Sequence, residues 1–300
     1  MRCSGSFTME FSRAGTRLPK TPQDKANWKR AIIVLEHCPL EQIQTSKGWE
    51  LLSDKHKRSL ALRNLDPADY RPDVVHQTLL HLLDSPLNRA GMLQIFIRTH
   101  KGVLISIDPR CRIPRSYRLF ARMMASLLYR LKVRASQSTS RIALMKVLKN
   151  PITDHMPSGT EFIRVERDGD LVEPFEYCKE LGSSSTARMK VSHLGNNGVS
   201  DLVAHKRHRT ENQDVASDSS ESGSDDDVPD EPVWERDGTR ENADGFKPFA
   251  FVIGGVSRGD VVADYAQGAK SIRLANRGMT AAAISSLLCH GLEEAWINPY

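Results

Sequence analysis

Apolar residues in this chain follow two different periods. Ala31-Ile-Ile-Val-Leu35 and Phe249-Ala-Phe-Val-Ile253 are unbroken runs rich in β-branched and aromatic residues, the pattern of strands covered on both faces. Val74, Val75, Leu79, Leu80, Leu82 and Leu83 instead recur at helical spacing between Arg71-Pro-Asp73 and Ser85-Pro86. A helix is expected there, with Asp73 placed to cap it. Residues 92–98 and 103–107, separated by Thr99-His-Lys-Gly102, read as a hairpin or adjacent strands. Phe120, Met124, Leu127, Leu128 and Leu131 put one apolar face on a helix over about 116–132. Near the C-terminus, residues 254–259 form a glycine-rich loop, 272–274 a short strand and 275–279 a second loop. Thr280 then caps a last helix, in which Ile284, Leu287, Leu288, Gly291, Leu292 and Ala295 keep a clean apolar stripe.

Strands and helices that alternate in this way predict an α/β fold. The alternation is interrupted once. Residues 183–246 are rich in Ser, Asp, Gly and charge and have no sustained apolar period, so they are expected to be a disordered insert. Residues 1–29 are polar and basic, with Pro19 and Pro22, and are expected to be a flexible tail. One domain, 30–182 joined to 247–300, remains.

Charge sharpens the picture. The formal net charge is +5, but residues 211–232 hold nine acidic residues and no Lys or Arg. Without them the balance is 42 basic against 28 acidic, or +14. Such a body favours a polyanion through counterion release, although a merely solvated basic surface has the same composition. Cys3, Cys38, Cys111, Cys178 and Cys289 show no CxxC pair and no zinc spacing, as expected for reduced thiols in an intracellular protein. His76, His81, His155 and His290 lack metal-like partners, so no metal is expected. No apolar run is long enough for a signal peptide or a membrane span.

Several polar motifs carry more specific information. They are Asp54-Lys-His-Lys57, Arg71-Pro-Asp73 through His76-Gln77, Asp84-Ser-Pro-Leu-Asn-Arg-Ala-Gly91, Arg112-Ile-Pro-Arg115, and Leu148-Lys-Asn-Pro-Ile-Thr-Asp-His155. Phe251-Val-Ile-Gly254 with Gly259, and His290-Gly-Leu-Glu-Glu-Ala-Trp296, follow in the C-terminal part. In this order they resemble the eukaryotic small-subunit (18S) ribosomal RNA pseudouridine N1-methyltransferases of the SPOUT superfamily, over roughly 31–181 and 247–298. The resemblance implies a SPOUT-type α/β knot, with a trefoil knot in its C-terminal part. It also implies an S-adenosyl-L-methionine cofactor, a homodimer, small-subunit rRNA and pre-40S assembly factors as partners, and work in the nucleolus of the nucleus.

The same resemblance implies roles for particular residues. Gly254, Gly259 and the loop Leu274, Ala275, Asn276, Arg277, Gly278, Met279 would hold the cofactor, with a hydrophobic contribution from Leu171. Read alone, the two glycines are most often just a turn after a strand, and the loop is not GxGxxG. Arg71, Arg112 and Arg115 match RNA-gripping positions, where a guanidinium fork suits phosphate. Arg118 stands one residue from a fourth such position. Three roles are open to Asp73: capping its helix, orienting Arg71, or taking the N1 proton. Capping is the simplest. One departure stands out, because Ala275-Asn-Arg-Gly-Met-Thr280 replaces the family's Ser-Asn-Tyr-Pro-Leu-Ser and so loses a fixed φ. That change keeps a second reading open, an RNA-binding assembly factor of the small subunit that does not methylate. A related transfer-RNA methyltransferase fits less well, since Arg-Pro-Asp and Arg-Ile-Pro-Arg belong to the ribosomal family. His205-Lys-Arg-His-Arg209 resembles a nuclear-import patch, and the serines within 217–224 sit among acids where phosphorylation is common.

Overall fold

The computed structural model describes residues 28–46, 48–135, 143–183, 246–259 and 262–297. The basic cluster at 205–209, the serines of 217–224 and almost all of the expected tail and insert lie outside the described residues. The expected limits shift slightly. Trp28 donates its indole N–H to the Gly91 carbonyl at 2.7 Å, Ser183 closes a helix, and the Phe246 ring lies 5.9 Å from Trp296.

An eight-stranded mixed sheet organises the domain, in the order β10-β8-β9-β1-β4-β5-β7-β6. Its strands are β1 (Ala31–Cys38), β4 (Leu93–Thr99), β5 (Leu104–Ile107), β6 (Lys132–Arg134), β7 (Ala143–Leu148), β8 (Glu161–Leu171), β9 (Phe249–Gly254) and β10 (Lys270–Arg273). A separate hairpin pairs β2 (Gln42–Thr45) with β3 (Gly48–Leu51). The strands β10, β8, β9, β1 and β4 run parallel, and β5, β6 and β7 extend the sheet antiparallel. Strand β1 is central, and all residues from Ala31 to Glu36 are buried, as its unbroken apolar run requires.

Among the described residues six α-helices complete the fold: α1 (Lys57–Leu62), α2 (Pro72–Asp84), α3 (Pro86–Arg89), α4 (Tyr117–Arg130), α5 (Pro174–Ser183) and α6 (Ala281–Trp296). Val75, Leu79 and Leu82 of α2, Phe120, Met124 and Leu127 of α4, and Leu288 and Leu292 of α6 join one core with β1, β4 and β9. Each such side chain, fully buried, contributes about 1.5–3 kcal/mol. Thr280 caps α6 as expected, its hydroxyl accepting from the Ala283 N–H at 3.2 Å. The α4 stripe ends earlier than expected. Leu131 leaves the helix at φ +64° and is half exposed, because β6 begins at the next residue.

The C-terminal path sets up the functional edge. The chain inserts β9 between β8 and β1, crosses past β8 to lay down β10, and returns as α6 against α2 and α5. Inward, outward and back is the path of the expected SPOUT-type α/β fold. The register of β8 against β10 jumps from Arg164↔Ser271 to Asp170↔Ile272. Gly169 makes the jump possible, since a Cβ there would stand 2.6 Å from the Ile272 backbone. The jump sets Leu171 beside Arg273.

Candidate RNA and cofactor site

Parallel strands bring their C-terminal ends to one edge, the usual place for ligands in open α/β sheets. Here that edge gathers Leu171, Gly254 and the 274–279 loop from strands far apart in sequence. Leu274 is buried and Met279 packs on the core, so both ends of the loop are anchored without the missing proline. Between them Asn276, Arg277 and Gly278 are exposed. Leu171 is also half exposed, next to the start of this loop.

The 254–259 segment is tied down at both ends. The Gly255 N–H donates to the Glu36 carbonyl at 2.7 Å. A Cβ on Gly255 would lie 2.3 Å from the Cys38 Sγ and 3.2 Å from that carbonyl, so only glycine fits. Gly259 has φ +86°, a turn conformation that favours glycine. Ser257 Oγ donates to the Ala68 carbonyl at 2.5 Å, and Arg258 pairs with both Asp66 and Asp69. Those contacts place residues 66–70, and therefore Arg71, beside the glycine loop. Tyr70 is held there against His100, 5.7 Å away edge to face, just beyond β4.

Arg71 and Asp73 form a bidentate pair, with N–O distances of 2.9 and 2.7 Å. The hydrogen bond from Arg71 holds the Asp73 carboxyl below the usual carboxylate range. This corrects the expected capping role. Arg71 is the N-cap residue, without a side-chain cap hydrogen bond, and Pro72 opens α2, so Asp73 lies inside the first turn. An acidic residue in the first turn still favours the helix dipole. His76 is buried on the next turn, stacks on Phe120 at 4.5 Å, and its Nε2 meets the Pro114 carbonyl at 2.7 Å. The Arg112-Ile-Pro-Arg115 segment is thereby laid along α2, with Ile113 buried and both arginines exposed. Arg115 reaches Asp84 at 2.9 Å. Arg118 is exposed on the first turn of α4. Tyr117 joins the two halves, and burial, with Asp73 nearby, pushes its phenol up to about 12.

The motif at 84–91 proves structural. Ser85 caps α3 by accepting from the Asn88 N–H, and Asn88 donates to the carbonyls of Leu83 and Pro109 at 3.0 and 2.8 Å. The Leu87 N–H donates to Glu293 of α6 at 3.1 Å. Gly91 closes the turn at φ +76°.

One group of residues was not anticipated. Glu36 is fully buried at the end of β1, where Tyr265 donates its hydroxyl at 2.7 Å and Arg98 lies at 3.2 Å. Burial raises the Glu36 carboxyl, and Tyr265 and Arg98 oppose that rise. A register shift at His37, with φ +57°, marks a bulge immediately after it. Tyr265 belongs to the segment linking β9 to β10, so this carboxylate pins the connection under the glycine loop. The signal was present in the chain, as a lone acidic residue closing an otherwise apolar run.

Comparison with known proteins settles the family. The description "EMG1/NEP1 methyltransferase" matches residues 33–293, nearly the whole domain. The chain belongs to the EMG1/NEP1 methyltransferase family. It is 33% identical over 278 residues to the ribosomal RNA small subunit methyltransferase nep-1 of Caenorhabditis elegans, covering 92% of each chain. It is 32% identical over 283 residues to the NEP1 protein of Homo sapiens, covering 93% of this chain and 88% of that one. Among solved structures, the Archaeoglobus fulgidus Nep1 bound to S-adenosylhomocysteine has the same fold. Its TM-score is 0.56 at 17% identity, over 89% of this chain and 98% of that one. Among the described residues of this EMG1/NEP1 protein, no helix is long and apolar enough to cross a membrane, and no group of three His, Cys, Asp or Glu is arranged to hold a metal.

Proposed function

We propose that this protein methylates N1 of a pseudouridine in small-subunit (18S) ribosomal RNA, using S-adenosyl-L-methionine, during assembly of the small subunit. One observation carries the reading: Arg258, Asp66 and Asp69 bring the 254–259 glycine loop and Arg71 to the same sheet edge. Its relatives in animals are named ribosomal RNA small subunit methyltransferases, and a protein of the same fold binds S-adenosylhomocysteine. The close packing of Gly255 on Cys38 and Glu36 holds this loop in one place at the sheet edge.

Gly254, Gly255, Gly259, Leu171 and the 274–279 loop would hold the cofactor, which supplies an electrophilic methyl group on a sulfonium. The remaining task is positioning, because an in-line displacement needs its two reacting atoms aligned in a dry site. Arg71, Arg112 and Arg115 are exposed and would grip phosphates on either side of the target nucleotide. Asp73 keeps its charge at neutral pH and fixes the Arg71 fork, so its part is orientation; a carboxylate held low is a weak base for N1. Arg118 extends the basic face onto α4.

A second copy of the chain is the expected partner, together with pre-40S assembly factors in the nucleolus. An open cleft of about 520 Å³ between α2 and α6, lined by Leu80, Pro86 and Cys289 together with Asp84 and Arg115, offers a surface for that second copy. Docking there would set Arg115 at the seam between the two copies, within reach of the RNA. Sedimentation of the purified chain at two ionic strengths tests the dimer. The non-methylating reading is favoured by Arg277-Gly278 in place of Tyr-Pro. Calorimetry with the cofactor separates the two, since a protein that only scaffolds RNA would give no heat at millimolar cofactor.

A further inference from the structure

Two aromatic rings lie open on the surface. Trp49 of β3 and Tyr129 of α4 stack at 6.4 Å between ring centres with 29° between planes, yet remain 43% and 65% exposed. Aromatic side chains in contact usually serve to bury one another, so a pair this open is an unused flat apolar surface. Its placement is fixed. The β2–β3 hairpin rests on α4, where the Gln42 amide donates to the Ala125 carbonyl.

The surroundings specify the ligand. Helix α4 carries Arg118, Arg122 and Arg130 and no acidic residue. At 3.6 residues per turn, Arg118, Arg122 and Tyr129 fall within about 40° of one another around the helix. They form one exposed line, with Tyr129 about 16 Å beyond Arg118. That line continues the basic face of Arg112 and Arg115 and ends on the aromatic pair. A row of guanidinium groups leading to open rings suits a strand of nucleic acid, with phosphates over the arginines and a base on the ring.

We infer that Trp49 and Tyr129 form a stacking platform for an unpaired base of the RNA substrate, two or three nucleotides along the strand from the phosphates held at Arg115 and Arg118. This inference rests on the RNA-methylating function and adds a subsite to it. Stacking and phosphate contacts leave different signatures, because only the second releases counterions.

The test is fluorescence anisotropy with the full chain and two labelled RNAs: a small-subunit rRNA stem-loop with unpaired residues, and a fully paired duplex of equal length. Trp49→Ala and Tyr129→Ala should each weaken stem-loop binding about 5- to 50-fold, leave duplex binding unchanged, and leave the salt slope unchanged. Arg122→Ala should lower that slope by about one. Trp49→Phe, which keeps a flat ring, should bind within about twofold of the parent chain; with Tyr129→Ala it decides the matter if Trp49→Ala melts early. Unaltered stem-loop affinity in both Tyr129→Ala and Trp49→Ala, or equal losses on both RNAs, would overturn the platform. Failure of the parent chain to bind the stem-loop would instead remove the function on which the platform rests.

Discussion

At the scale of single residues, the site is built from polar groups whose partners decide their chemistry. Arg71 holds the Asp73 carboxyl below its ordinary range, and Asp73 in turn holds the Arg71 fork. Asp73→Asn should therefore weaken RNA binding by severalfold. The pair is largely exposed, so its stability cost should stay below about 1 kcal/mol. The pH dependence has a definite sign. A carboxyl lowered in the folded state contributes stability that is present above its unfolded pKa and fades as pH falls through its folded value. Urea melts of parent and Asp73→Asn chains should differ at neutral pH and converge in acid. Glu36 obeys the opposite logic, since burial costs its charged form. Tyr265→Phe leaves that buried carboxylate short of a donor, and should cost about 1–3 kcal/mol in urea unfolding while loosening the cofactor segment. A loss below about 0.3 kcal/mol would show that the hydroxyl does not support Glu36.

At the scale of elements, each strand end and loop owes its place to packing that is only partly written in local sequence. The apolar runs of β1 and β9, the hairpin of β4 and β5, and the Thr280 cap were legible because period and cap chemistry are local. The Asp73 cap was misread because Pro72 takes the first helical position and leaves Arg71 outside it. Leu131 was read into α4 because its spacing fits, whereas the tertiary demand of β6 ends the helix one residue earlier. Nothing local could reveal the register jump that carries Leu171 to Arg273, or the Cys38 sulfur that forbids a side chain at Gly255. That second contact yields a prediction. Gly255→Ala must displace Cys38 or the loop, so calorimetry should show cofactor binding weakened by tenfold or more. Unchanged affinity would mean that this loop does not hold the cofactor.

At the scale of the whole molecule, the fold joins two segments that the sequence presents far apart, the proposed RNA grip and the proposed cofactor loop. The arginine motifs were legible as candidate RNA contacts, and the glycine loops, through the family resemblance, as candidate cofactor contacts. Their meeting was not, because it depends on Arg258 reaching Asp66 and Asp69 across 189 and more residues. The position of this protein within the EMG1/NEP1 methyltransferase family then turns the juxtaposition into a reaction. The most direct test supplies the full chain with methyl-labelled S-adenosyl-L-methionine and one small-subunit rRNA stem-loop, made with either pseudouridine or uridine at the target. Label should enter only the pseudouridine RNA, and substituting Arg71 or Gly255 with alanine should abolish most of it. Tight binding of both RNAs with no label in either would contradict the account and leave the protein an RNA scaffold.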